Sequence, residues 1–204
     1  MISAVIPAYN EGERIGGVVG KALDYVDEVV VVDDCSSDET RAVAREAGAR
    51  VIRNEANIGY IYSIKKGFRE AKGDIIVTLD GDGEHDPAYI PKLVKPITDG
   101  EADLVFGVRA HITRLSERLL NQIVNLKVKV LDSGTGFRAL KKELAVKLEL
   151  RGECTCGILL LESLRHGAVF REIPVYNRQI NKKRAIAWGH LKQFFYLLYE
   201  LSKG

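Results

Sequence analysis

The segment Asp80-Gly81-Asp82-Gly83-Glu84-His85-Asp86 places four carboxylates within seven residues. Like charges crowded this closely repel one another unless a cation sits among them. Hard oxygen donors suit Mg2+ or Mn2+, which bind a few carboxylates and complete their shells with substrate phosphates. Asp80, Asp82 and Glu84 are the candidate ligands. An EF-hand is excluded, because the Glu that should close the loop is missing from its spacing. The competing reading is an acidic turn that caps the next helix, and Asp86-Pro87 fits a cap followed by a first-turn proline. Two further acidic constellations follow apolar runs. Asp33 and Asp34 close the run from Glu28 to Val32 and are suited to accept from a nucleobase N–H or a ribose hydroxyl. Pro7-Ala8-Tyr9-Asn10-Glu11 offers a flat ring at Tyr9 and an acceptor at Glu11. Neither GxxxxGK[ST] nor GxGxxG occurs at that turn, which argues against a P-loop NTPase or a dinucleotide dehydrogenase. A nucleotide held without a glycine-rich cradle needs a metal to neutralise its diphosphate.

These groups must be positioned by a scaffold, and the spacing of apolar residues describes one. Short apolar runs at Ile2–Ile6, Glu28–Val32, Ala49–Arg53, Asp74–Leu79 and Asp103–Val108 predict strands. Helices are predicted at Glu11–Tyr25, from Ser36 or Ser37 to Gly48, at Ile58–Ala71 and from Pro87 to about Thr98. Continuous β-branched runs such as Val29–Val32 mark strands buried on both faces. Alternation of this kind predicts an α/β fold with a doubly wound, mostly parallel sheet flanked by helices, and ligands bind beyond the carboxyl ends of its strands. Beyond residue 110, helices are predicted at Thr113–Leu131, Phe137–Leu150, Ile158–His166 and Trp188–Leu201. A strand is predicted at Ala168–Val175 and a basic loop at Asn177–Arg184. No linker divides the chain, so residues 1–204 are read as a single domain.

Composition narrows the partners. Thirty basic and 28 acidic residues leave a formal net charge of +2, so no global field holds nucleic acid and none is expected as a partner. No apolar run approaches the length of a membrane span, and the N-terminus has no basic leader, so a cytoplasmic location is expected. Three cysteines, Cys35, Cys154 and Cys156, argue against a disulfide framework. Cys154-Thr155-Cys156 has no second Cys or His pair at zinc spacing and reads as two small, half-buried thiols.

Together, VIPAYNEGERI, VVVDDCSSDET, the segment Asn57–Phe68, GDIIVTLDGDGEHDP, DLVFGVR and DSGTGFRALKKE resemble glycosyltransferase family 2, with its GT-A fold. Within it the chain is most similar to the dolichyl-phosphate mannose synthase group and related polyprenyl-phosphate hexose synthases. The resemblance implies a nucleotide-sugar half over 1–110 and an acceptor half over 111–204. It implies that Pro7, Tyr9 and Glu11 line the nucleoside site, with Asp33 or Asp34 near the base. Asp80 and Asp82 match the DxD motif, with Gly81 close to the donor, and Glu84 stands where the group usually has Gln. His85 is implied to be structural. Arg109 matches the arginine that meets the donor diphosphate or the acceptor phosphate. Asp132, Gly136 and Arg138 match a segment that shapes the acceptor side. Two features depart from the group. Glu153-Cys154-Thr155-Cys156 replaces an acidic Glu-x-Glu-type segment, and the phosphate clamp is represented by Arg178, Lys182, Lys183 and Arg184 in altered spacing. That basic run suits a diphosphate leaving group, or is a solvated loop.

The implied reaction is metal-dependent, inverting transfer of a hexose from a GDP- or UDP-sugar, with Asp82, Arg109 and Asp132 in the catalytic centre. A polyprenyl phosphate acceptor is already anionic and needs little general base, whereas a hydroxyl acceptor needs a carboxylate, for which Asp132 or Glu153 would serve. A lipid acceptor implies peripheral contact with the cytoplasmic face of a membrane. The helix Thr113–Leu131 carries Arg114, Arg118, Lys127 and Lys129 beside an apolar face, and the terminal helix carries Trp188, Phe194, Phe195, Tyr196 and Tyr199. Helices that pack on the sheet have the same pattern. A sugar nucleotidyltransferase would carry a glycine-rich basic loop after the first strand, where Pro7–Glu11 is acidic. A non-catalytic nucleotide-sugar-binding module is disfavoured by the intact Asp80-x-Asp82 and Arg109.

Overall fold

The structure is a computed structural model describing residues 1–112, 114–178 and 187–202, with side chains from His190 onward in the last segment. In chain order it runs β1 (Ile2–Ala8), α1 (Ile15–Leu23), β2 (Glu28–Asp33), α2 (Thr40–Glu46), β3 (Arg50–Arg53), α3 (Tyr60–Glu70) and β4 (Ile75–Thr78). A short 3-10 turn (Pro87–Tyr89) leads into α4 (Ile90–Thr98), β5 (Leu104–Arg109), α5 (Leu115–Val124), β6 (Arg138–Lys141), α6 (Lys142–Ala145), α7 (Ile158–Arg165), β7 (Phe170–Val175) and α8 (Ala187–Ser202). Seven strands form one sheet in the order β3-β2-β1-β4-β6-β5-β7. All pairings are parallel except those of β6, which runs antiparallel to β4 and β5.

Alternate residues of each strand point to opposite faces, and both faces are covered. Ala4, Ile6, Val29, Val31, Val77 and Val105 join one core with Ile15, Val19 and Leu93. Val5, Val30, Val32, Ile76, Leu104 and Phe106 join the other with Phe68, Leu120 and Leu160. This explains the unbroken apolar runs. The chain leaves β1 toward β2 on one side, and β4 lies on the other. That reversal opens a crevice at the carboxyl ends of β1 and β4, where Tyr9–Glu11 and Asp80–Asp86 emerge.

Two predicted helices are corrected. Phe137–Leu150 is not a helix: Arg138–Lys141 pairs with Ile75–Thr78 and Leu104–Phe106, and the short α6 follows. Ala, Leu, Lys and Glu favour helix locally, but the gap between β4 and β5 offers two complete ladders of backbone hydrogen bonds. Thr113–Leu131 is helical only from Leu115 to Val124. Asn125 turns the chain out: its side chain accepts from the Val130 amide at 2.8 Å and donates to the Asn121 and Val130 carbonyls. The predicted apolar face divides there. Leu120, Ile123 and Val124 face the core, while Leu115 and Leu119 are exposed. The predicted cap at Asp86 is present, accepting from the Ala88 amide at 3.2 Å.

Candidate functional site

Loops from β1, β2, β4, β5 and β7 converge at the carboxyl edge. Asp80 follows β4, and its amide donates to His85 Nδ1 at 3.2 Å. His85 is buried and stacks on Phe137 with ring centroids 5.2 Å apart. Burial holds its pKa below the usual imidazole value, so the ring serves as a neutral acceptor that curls the acidic loop. Asp82 is buried and its Oδ1 accepts from the Glu84 amide at 3.1 Å. The amide of Arg178, just beyond β7, donates to the Glu84 carbonyl at 2.9 Å, and its guanidinium lies 3.9 Å from Asp86. Lys182, Lys183 and Arg184 lie outside the described residues.

Two glycines here let neighbouring groups approach closely. A Cβ on Gly81 would meet Ile15 at 3.1 Å, which seats the loop on the start of α1. A Cβ on Gly136 would lie 2.7 Å from Asp80 Oδ2, so the backbone of the loop before β6 walls in that carboxylate. Thr78 fixes the same loop by donating to the Gly136 carbonyl at 2.7 Å.

Arg109 ends β5. Its Nε and Nη2 donate to the two oxygens of Asp132 at 2.6 and 2.9 Å, a bidentate pair. Glu117, on α5, lies 3.1 Å from the same guanidinium and 3.4 Å from Arg114. Burial alone would lower the Arg109 pKa, but Asp132, Glu117 and Glu84 drive it upward, so the charge is permanent. Burial, then the negative charge of Asp80, raises the Glu84 pKa above the ordinary carboxylate range, while Arg109 opposes that rise. The acidic loop and the arginine therefore share one electrostatic site. Asp80 is walled in by Gly136 and its charge reaches Glu84; with Asp82 these are the hard oxygen donors of the loop, and they are the residues that would hold a divalent cation.

Around the nucleoside end, Tyr9 is exposed beside Pro7, and Glu11 is buried with its amide bound to Thr40 Oγ1 at 2.8 Å. The two aspartates of β2 differ in role. Asp34 accepts from Asn54 Nδ2 at 2.8 Å, the Ile58 amide at 3.0 Å and the Gly59 amide at 2.8 Å, so it holds the loop entering α3. Asp33 accepts from the Ser36 amide through Oδ1 and keeps Oδ2 3.9 Å from Arg53.

Sequence reasoning missed Tyr60 and the role of Glu117. Tyr60 opens α3, and burial together with the Asp80 charge pushes its phenol up to about 12. Its signal lay in the Asn57–Phe68 segment. Glu117 carried none, because only the fold brings α5 over the end of β5.

The family described as Glycosyl transferase family 2 matches residues 3–147. The chain belongs to glycosyltransferase family 2. A dolichol-phosphate mannosyltransferase of Pyrococcus furiosus is 32% identical over 173 residues, covering 73% of this chain and 48% of that protein. The chain thus spans about half the length of that relative. A UDP-N-acetylglucosamine–dolichyl-phosphate N-acetylglucosaminyltransferase of Methanococcus voltae is 28% identical over 213 residues, covering 86% of this chain and 84% of that protein. Glucosyl-3-phosphoglycerate synthase of Mycobacterium tuberculosis, crystallised with UDP, superposes with a TM-score of 0.83 at 26% identity over 99% of this chain and 80% of that one. The same enzyme has been crystallised with Mn2+, UDP and glucosyl-3-phosphoglycerate, and in that form the likeness is one of fold, with a TM-score of 0.81 at 24% identity over 97% of this chain and 78% of that one. These GT-A enzymes share the mostly parallel sheet flanked by helices expected from the sequence.

Proposed function

We propose that this chain transfers a hexose, with inversion, from a GDP- or UDP-sugar to a polyprenyl phosphate. The observation that carries the reading is the buried Arg109, held bidentate by Asp132 at the sheet edge where the acidic loop emerges, with its charge reaching Glu84 as that of Asp80 does. Carboxylates able to hold a cation thus stand beside a permanent positive charge, the arrangement that a diphosphate leaving group and an anionic acceptor need. Mg2+ or Mn2+ held by Asp80, Asp82 and Glu84 would supply positive charge beside the diphosphate. Tyr9, Glu11 and Asp33 would bind the nucleoside, and Asp34 would hold the adjoining loop that enters α3. Arg178 and, farther along, Lys183 and Arg184 would contact the diphosphate.

The environments of the two candidate carboxylates favour a phosphate acceptor. Asp132 is fully buried and committed to Arg109, and Glu153 lies 3.4 Å from Lys192. Both are engaged by cations, which favours an acceptor that needs no general base. A phosphate oxygen is already anionic and can displace the nucleoside diphosphate directly at the anomeric carbon. The new C–O bond forms as the bond to the diphosphate breaks, so an α-linked donor yields a β-linked product. Glu117 occupies the edge of Arg109 that an incoming phosphate oxygen would take, and binding would exchange one anion for the other.

A lipid acceptor calls for a membrane-facing surface. Among the described residues no helix is long and apolar enough to cross a membrane. Leu115 and Leu119 on α5, and Leu191, Phe195 and Leu198 on α8, are exposed at helical spacing, with Arg118 and Lys192 on the same helices. We infer that this face rests on the lipid surface. The reading is tested by incubating the chain with a panel of radiolabelled nucleotide sugars, a short polyprenyl phosphate, and Mg2+ or Mn2+. Lipid-extractable label that disappears in Asp82→Ala is expected. Metal-dependent release of nucleoside diphosphate without labelled lipid would overturn the acceptor.

A further inference from the structure

Cys154 and Cys156 acquire a third partner that their spacing does not reveal. Both thiols are free, and α8 brings His190 to them from 34 residues along the chain, so that one ligand atom from each of the three lies within 4.8 Å of the others. Cys156 and His190 are buried and Cys154 is half-buried. We propose that Cys154, Cys156 and His190 form a binding site for a thiophilic divalent metal, Zn2+ by the chemistry of its donors, separate from the acidic nucleotide-sugar site.

The surroundings are those of a built site. Ser116 Oγ meets His190 Nδ1 at 2.7 Å, which fixes the ring and leaves Nε2 for a metal. Gln193, one turn beyond His190 and fully buried, accepts from the amides of Glu153 and Cys154 and donates to the Cys156 carbonyl. Helix α8 therefore clamps the backbone of the Cys-x-Cys loop as well as offering it a ligand. Arg138 lies fully buried with its guanidinium over the Phe106 ring, and its charge acts on both thiols. A hydrogen bond from Cys154, with further help from His190 and Arg138, lowers the Cys156 pKa, and sharing that proton raises the Cys154 pKa.

Zn2+ with sulfur at about 2.3 Å places tetrahedral ligand atoms about 3.8 Å apart, so ligand atoms that lie within 4.8 Å of one another need close by no more than about 1 Å. On binding, each thiol that is still protonated gives its proton to solvent and the imidazole binds neutral. Two thiolates then balance the divalent charge, as a buried site requires. The fourth position remains for solvent, and a groove of about 460 Å3 lined by Tyr60, Arg151, Glu153 and Tyr196 reaches the residue that precedes Cys154. A Cβ on Gly134 would lie 3.5 Å from Arg109 Nη2 and 3.9 Å from Cys156 Sγ, so a single residue separates this site from the arginine. The metal would brace α8 and the acceptor side of the molecule.

The test is a Co2+ titration of the whole chain, reduced with a phosphine, its three thiols counted chemically and excess Mg2+ present to fill the oxygen site. One equivalent of Co2+ showing thiolate charge-transfer bands and the intense visible bands of tetrahedral cobalt, bleached by Zn2+, is expected. Cys156→Ser should abolish the bands. Ser116→Ala should weaken binding about 10- to 100-fold, the range for a partner that orients a ligand. A fully reduced chain that binds Co2+ without thiolate bands overturns the proposal, as do bands that survive Cys156→Ser. Should that variant fail to fold, the wild-type chain loaded with Zn2+ is treated with an organomercurial and a chromogenic chelator. Release of one zinc as two thiols are blocked supports the site, and release independent of the thiols overturns it.

Discussion

Replacing Gly136 with Ala tests whether Asp80 is held where the cation and donor need it. The new methyl would lie 2.7 Å from Asp80 Oδ2 and 3.0 Å from Oδ1, whereas ordinary contact begins near 3.4 Å. The carboxylate must therefore retreat by about 0.7 Å. It is able to do so, because the obstructing atoms are the end of a side chain rather than backbone. Gly136 does not sit at positive φ, so Ala is conformationally acceptable and also restricts the unfolded chain, a gain of about 0.4–1 kcal/mol. Strain at the contact offsets part of that gain, and the melting temperature should stay within a few degrees of wild type. Activity should not be spared. A misplacement of about 1 Å in a reacting constellation costs about 100-fold, so a shift of this size should lower kcat/KM for the nucleotide sugar about 10- to 100-fold. The metal concentration for half-maximal rate should rise in parallel. The assay is nucleoside diphosphate release titrated with Mn2+, beside a melting curve. A folded Gly136→Ala protein with wild-type kcat/KM and an unchanged metal requirement would refute the assignment of Asp80.

Three other variants probe separate parts of the site. Glu84→Gln should stabilise the chain in chelator at pH 7. The folded pKa of Glu84 is raised, so its contribution to stability is full below the unfolded value of 4.5 and is lost as pH rises through the folded value. The gain should therefore vanish in melts near pH 4, and an equal gain at both pH values would contradict the shift. Asp132→Ala removes the bidentate partner of a buried Arg109, leaving it Glu117 and the field of Glu84, and should destabilise the fold by about 3 kcal/mol in urea titrations, against near-zero for an exposed pair. Asp34→Ala removes a carboxylate that accepts three hydrogen bonds and should cost about 2 kcal/mol in the same titration. Retained nucleoside diphosphate binding at low temperature is expected for Asp34→Ala but not for an aspartate that contacts the base.

Local order was legible wherever chemistry and periodicity coincide in a short stretch. The runs Ile2–Ile6 and Val29–Val32 could only be strands covered on both faces, and loops at their carboxyl ends had to carry the acidic clusters. Asp80, Asp82 and Glu84 belong to one loop, so proposing them together needed no distant information. Tertiary structure alone settled what depends on contacts across the chain. Helix-forming residues at Arg138–Lys141 became a strand because β4 and β5 leave a slot between them, and long-range hydrogen bonding outweighs local preference. Identical neighbours Asp33 and Asp34 diverge because Asn54, Ile58 and Gly59 return to one of them. Arg109 is matched to Asp132 and Glu117, and Cys154 and Cys156 to His190, by the crossing of α5 and α8 over the sheet. Sequence spacing encodes only which residues can share a turn or a face. Charges and ligands separated by tens of residues meet where the packing of helices onto a sheet brings them together.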